Sequence, residues 1–211
     1  FAFEGTDSTW APLSLALTDM LTTDLALTDR LRVLERARVG TLLDELEFSE
    51  SGRMEAATAA RGGRILGVGK MVQGVLRIEG DSRVGVEASV VETRVSESDL
   101  RFAPVRLEDQ VERLFALEKA LAFRVYEDLG IQLTIAERER ISEYQTESLP
   151  ALLAFGEGLE AQDQGNFARA AERFDTAAEL DPDFANAASK SAEVKLQSQI
   201  AGSVTLTQAP I

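Results

Sequence analysis

The stretch with the clearest chemical suggestion is Gly63-Arg64-Ile65-Leu66-Gly67-Val68-Gly69-Lys70. Glycines followed by lysine are the composition of a phosphate-cradling loop, in which bare backbone N–H groups meet the anion and lysine adds charge. Three features oppose that chemistry here. Gly63 stands one residue too far from Gly69-Lys70, Met71 replaces the Ser or Thr that would hold magnesium, and the residues that follow read as a strand. Without a helix N-terminus no converging set of N–H groups faces an anion. The glycines read instead as a tight helix-to-strand turn, and no cofactor is expected.

Other catalytic chemistry fares no better. The chain has neither histidine nor cysteine, which removes the imidazole base, the usual zinc ligands, the thiolate nucleophile and the disulfide. Carboxylates recur in pairs, Asp44/Glu47 and Glu137/Glu139, but on helix faces rich in arginine, where solvated side chains are the simpler reading. Serines are scattered with no G-x-S-x-G elbow, and no D-x-[DN]-x-[DN]-G run offers a calcium loop. Trp10, two residues before Pro12, reads as a local core plug rather than a sugar-stacking platform. The expectation is no catalytic residue, no metal and no enzyme.

Composition sets further bounds. The 211 residues suit one large or two small domains. A formal charge of −14 argues against nucleic acid and against an anionic membrane surface. That charge is spread out: residues 146–211 carry four basic and ten acidic side chains, −6, leaving −8 for residues 1–145. No apolar run approaches the ~18 residues of a membrane helix. The chain begins at Phe1 rather than Met, a mark that a removed leader or a trimmed chain would leave.

The elements that would position any site follow from periodicity. Phe1-Ala2-Phe3 ends a strand, and a helix over 9–27 carries Leu13, Leu17, Met20, Leu21 and Leu25 on one face. A short strand over 31–35 precedes helices over 36–48 and 54–66. Residues 70–78 and 83–92 alternate around Gly80-Asp81-Ser82 and predict an antiparallel hairpin. A long helix over 107–129 ends at Gly130, and Thr134-Ile135-Ala136-Glu137 has the form of a capping box. This predicts an α/β (α+β) domain over 1–145, with a small mixed sheet and flanking helices.

Residues 146–202 form a second, all-α domain. In Gly158–Pro182, small residues at Gly158, Ala170 and Ala177 allow two helices to approach, Phe167 and Phe174 fill the space, and Gly165-Asn166 turns the chain. This resembles a tetratricopeptide repeat (TPR): Ala154, Gly158, Gly165, Phe167, Ala170, Phe174, Ala177 and Pro182 fall in that family's ~34-residue register, Ala161 being a departure where a large aromatic is usual. The resemblance implies a protein-binding surface. One repeat cannot bury its own apolar face, so a neighbour must come from the preceding domain, another subunit or a partner.

The first domain resembles the curli secretion channel (CsgG-like) family. The likeness rests on ALTDMLTTDLAL, LRVLERARVGTLLDELEFSESG, AATAARGGRILGVGKMVQGVL and LFALEKALAFRVYEDLGIQLTIAE, and covers about residues 1–141. It implies a bacterial envelope assembly module located in the periplasm, at the outer membrane or outside the cell. Nothing in the chain matches the long amphipathic insertions of the family's pore-forming members, and no lipid-attachment cysteine is present.

Residues 203–211, SVTLTQAPI, alternate like a strand with no sheet beside them. Such a strand must join a sheet edge, in a neighbouring molecule or in its own α/β domain, unless it is a loose tail. The combined expectation is a non-catalytic structural protein that self-assembles into a filament or ring. Val204, Thr205 and Leu206 would add as a strand, while Phe184, Val194 and Leu196 carry an exposed helical face. The alternative is a monomeric periplasmic TPR adaptor that docks another envelope protein.

Overall fold

The computed structural model describes residues 1–34, 56–80, 82–94 and 104–205. The expected helix over 36–48 and the tail from Leu206 onward lie outside them. The chain divides into two compact units, Phe1–Tyr144 and Gln145–Ile211.

Among the described residues, the first unit is built on a four-stranded mixed sheet in the order β1-β2-β3-β4. Strand β1 (Ala2–Gly5) runs parallel to β2 (Lys70–Glu79), which pairs antiparallel with β3 (Arg83–Glu92), and β4 (Val105–Gln110) pairs antiparallel with β3. The hairpin turns on Gly80, whose φ of 62° lies in the left-handed region where a side chain is strained. Period-two alternation sorts the side chains. One face carries Leu76, Ile78, Val84, Val86 and Ala88, all buried.

Helices α1 (Pro12–Leu25) and α3 (Leu114–Asp128) pack on each other and on the sheet. Their buried residues Leu13, Leu17, Met20, Leu21, Leu114, Leu121 and Val125 form the core with the strand residues. Gly74 lies directly beneath the Phe1 ring, where any β-carbon would intrude, and the Phe1 ammonium donates to Thr18 Oγ1 of α1 (3.0 Å). Helix α2 (Ala56–Leu66) packs on β2 and β3 from the opposite face, with Gly63 seated against Met71 and Thr93.

Two local expectations fail in this unit. Residues 31–34 of the strand expected over 31–35 are not a strand, residue 35 lying outside the described residues. They follow a turn over 26–30 that Leu31 N–H closes on the Thr28 carbonyl (3.4 Å), with Arg30 tethered to Glu137. The long helix expected over 107–129 begins only at Leu114, because Val105, Leu107 and Asp109 alternate with Arg106, Glu108 and Gln110 and extend the sheet. The capping box at Thr134 is present and opens α4 (Ile135–Ser142).

The second unit is three helices: α5 (Leu149–Asp163), α6 (Phe167–Leu180) and α7 (Ala185–Thr205). Three-residue and four-residue links make consecutive helices antiparallel neighbours, and α6 packs between the other two. Gly165, at φ 71°, closes the first link, and Asn166 caps α6 through Arg169 N–H. Helix α7 continues through Val204 and Thr205. The separate strand expected from residue 203 therefore does not begin there, since the backbone hydrogen bonds of 203–205 belong to the helix.

Candidate functional site

The glycine run around Lys70 is a turn. Val68 N–H donates to the Gly63 carbonyl (2.9 Å) and Gly67 N–H to the Arg64 carbonyl (3.1 Å), so these donors close the end of α2 and do not converge on an anion. Thr93 Oγ1 donates to the Val68 carbonyl, and Arg64 Nη1 to the Thr93 carbonyl (3.1 Å). Of the carboxylate pairs, Asp44/Glu47 lies outside the described residues. Glu137 is consumed by its cap: Oε2 accepts from Thr134 N–H (2.7 Å) and from Arg30, while Oε1 accepts from Thr28 Oγ1 (2.8 Å). The Arg30 guanidinium first, then the Thr134 donors, hold its carboxyl down at about 2. Among the described residues no group of three acidic side chains is placed to hold a metal ion.

Two polar arrangements stand out that residue spacing alone did not indicate. The first crosses all four strands on the α2 face of the sheet. Glu4 accepts from Arg77 Nε (2.8 Å), Arg77 Nη1 reaches Glu87 (3.3 Å), and Glu87 accepts from Arg106 Nε (3.1 Å). Glu87 is buried at the centre, and Gly85 leaves a shallow trough of about 250 Å³ beside it, lined also by Glu79, Arg83 and Glu108. Three arginines and three glutamates balance there, which gives no preference for a charged ligand. The signal was present in the alternation, but it needs the register Glu4↔Arg77 and Glu87↔Arg106 to become visible.

The second lies between α1 and α3. Lys119 Nζ sits 2.6 Å from Asp24 Oδ2 and 3.3 Å from Glu118 Oε2, and Tyr126 Oη donates to the Asp24 carbonyl (2.8 Å). All four side chains are buried. Burial first, and then the neighbouring Asp24 charge, push Glu118 up to about 8; burial likewise pushes Tyr126 up to about 12.

The interaction residues expected in the second unit divide sharply. Phe184 and Val194 are 1% and 0% exposed, so they are core and not an open face. The reason is an aromatic stack: Phe155 packs on Phe174 (ring centroids 5.3 Å) and on Phe184 (4.8 Å), and α7 covers α6. Phe155 was missed, although it lies in line with Leu152 and Leu159 on α5 and all three are fully buried. Leu196 is exposed, at 61%. Val204 and Thr205 lie in the last turn of α7, and Leu206 lies outside the described residues. Ala154, Gly158, Ala170, Phe174 and Ala177 are brought together in the buried α5–α6 seam, with Phe167 half-buried at its start and Gly165 and Pro182 at the exposed links.

With this geometry in place, the chain compares with known proteins as follows. Residues 4–79 match the family model for the curli production assembly/transport component CsgG. The matched stretch runs from β1 through α1 and α2 to the end of β2, about a third of the 211 residues. It supports the CsgG-like reading for that part of the first unit. No curated protein matches the chain. Among the described residues, no helix is long and apolar enough to cross a membrane.

Proposed function

We propose that the chain is a non-catalytic assembly or transport component of the bacterial envelope that works by protein contact. The observation that carries this is the match of residues 4–79 to an assembly/transport component. On this reading the α/β unit is the assembly module, placed in the periplasm, at the outer membrane or outside the cell. The helical unit is its TPR-like docking surface, a reading supported by the seam in which Gly158 and Phe174 interlock and by the third helix stacked on the pair.

Self-association is the arrangement we favour. Ala188, Ala192 and Leu196 are exposed and follow one another at four-residue spacing along α7. Small residues along a helix let the next helix approach closely, which is how a stack of repeats continues from one molecule into another. A head-to-tail contact of that kind gives a ring or a filament according to its rotation.

The alternative is a monomeric adaptor for a separate envelope protein. It is favoured by the burial of Phe184 and Val194, which lets α7 close the unit's own core. Light scattering with electron microscopy of the full chain separates the two. A ring or filament that Leu196→Glu converts to a 22.9 kDa particle supports self-association. A monodisperse 22.9 kDa particle in the unmodified protein overturns it and leaves the adaptor.

A further inference from the structure

Among the described residues, the charge count between α1 and α3 does not close without a proton. Asp24, Glu118 and Lys119 are 2%, 0% and 6% exposed, so two carboxyl groups and one ammonium share a space that water does not reach. Lys119 is committed to Asp24 by a 2.6 Å contact. Neither oxygen of Glu118 has a hydrogen-bond donor directed at it, the Lys119 ammonium lying 3.3 Å from Oε2 out of alignment. The Asp24 and Glu118 carboxyl groups therefore flank one ammonium, at 2.6 Å and 3.3 Å, and both are acceptors when ionised. One ammonium cannot neutralise both, and a buried ionised carboxylate without a hydrogen bond is far costlier than a protonated one.

Among the described residues, the cation that Asp24 and Glu118 both contact is Lys119. From α1 the facing charged group is Asp24; on α3 itself they are Lys119 and the Tyr126 phenol. Glu137 and Arg140 of α4, with Arg30 of the turn after α1, act on the Tyr126 side. Strand β3 presents Val84, Val86 and Ala88 to the core, and Asp109 of β4 is paired with Arg113 (3.5 Å).

We propose that the α1–α3 seam is a proton-operated latch, in which Glu118 holds one proton and on losing it drives the two helices apart. The proton leaves to solvent as the seam opens and returns when it closes. The closed seam binds one more proton than the open one, so alkalinity favours opening.

Amide hydrogen exchange of the full chain across pH 5.5–8, corrected for the intrinsic pH dependence of exchange, tests this at Leu21–Leu25 and Leu117–Ala122. The expected result is an opening constant that rises by up to about tenfold per pH unit while Glu118 is protonated closed and ionised open. Glu118→Gln keeps shape and removes the proton, and its profile should be flat. A flat profile in the unmodified protein, or the same slope in Glu118→Gln, overturns the latch. Should Glu118→Gln fail to fold, infrared spectroscopy of the unmodified protein decides. A protonated carboxyl carbonyl band at neutral pH that disappears on raising the pH supports the latch, and its absence at neutral pH overturns it.

Discussion

The ring of Phe174 occupies the place where a β-carbon on Gly158 would stand, its Cδ1 and Cε1 both 2.6 Å from that position. Glycine here is a matter of room and not of backbone freedom, since it sits in the body of α5. A mid-helix glycine gives up about 1 kcal/mol of propensity relative to alanine. The fit of the ring recovers that loss, because Phe174 is fully buried and fixed against Phe155.

Gly158→Ala should therefore destabilise the helical unit despite improving helix propensity. Overpacking costs roughly 1–3 kcal/mol, against about 1 kcal/mol of propensity gained. Adding Phe174→Leu should recover part of the loss, a coupling that a double-mutant cycle of helical circular dichroism in urea would read. Additive single effects would show that the ring yields freely.

The buried pair Lys119–Asp24 makes a sharper prediction. Lys119→Met keeps the aliphatic stem and leaves Asp24 without its cation, which typically costs about 3–5 kcal/mol. Combining it with Asp24→Asn should restore much of that stability, because the remaining polar group is then neutral. Urea unfolding followed by Trp10 fluorescence reports on this unit alone, as Trp10 is the chain's single tryptophan.

How far the sequence carried the fold depended on whether a signal was local. The hairpin over 70–92 and the Thr134 capping box need only alternation, a turn glycine and a three-residue offset, and both were legible. Strand β4 was hidden because Val111 and Leu114 continue the apolar spacing of the helix behind it, so period two merged into period 3.6. The exposed reading of Phe184 failed for another reason. Its partner Phe155 lies 29 positions upstream, beyond the reach of any window. Likewise Glu118 beside Lys119 reads as an ordinary surface pair until α1 brings Asp24 against them.

The charge ladder across the sheet should be unequal in its parts. Arg106 is 69% exposed at the β4 edge, and its ion pair is of the surface kind worth about 0–1 kcal/mol. Glu87 accepts from both arginines while 9% exposed, so Glu87→Ala removes the buried acceptor they share. We expect Arg106→Ala to change unfolding by less than about 1 kcal/mol and Glu87→Ala to cost about 1–3 kcal/mol. Equal effects would mean that the ladder acts as a surface network throughout.

Acid stability should turn on Glu137. Its folded pKa lies at about 2, against the 4.5 of an ordinary glutamate, and is held down chiefly by Arg30. The folded state thus keeps this carboxylate ionised where the unfolded chain has already taken up a proton. Its contribution is fully present above about pH 4.5, and is lost as pH falls toward 2. Glu137→Gln removes the titration along with the ion pair. It should lower the urea midpoint at pH 7 and flatten the acid limb, so that the two proteins converge near pH 2. Parallel curves separated by a constant gap would instead assign the loss to the hydrogen bonds with Thr28 and Thr134 and not to the charge.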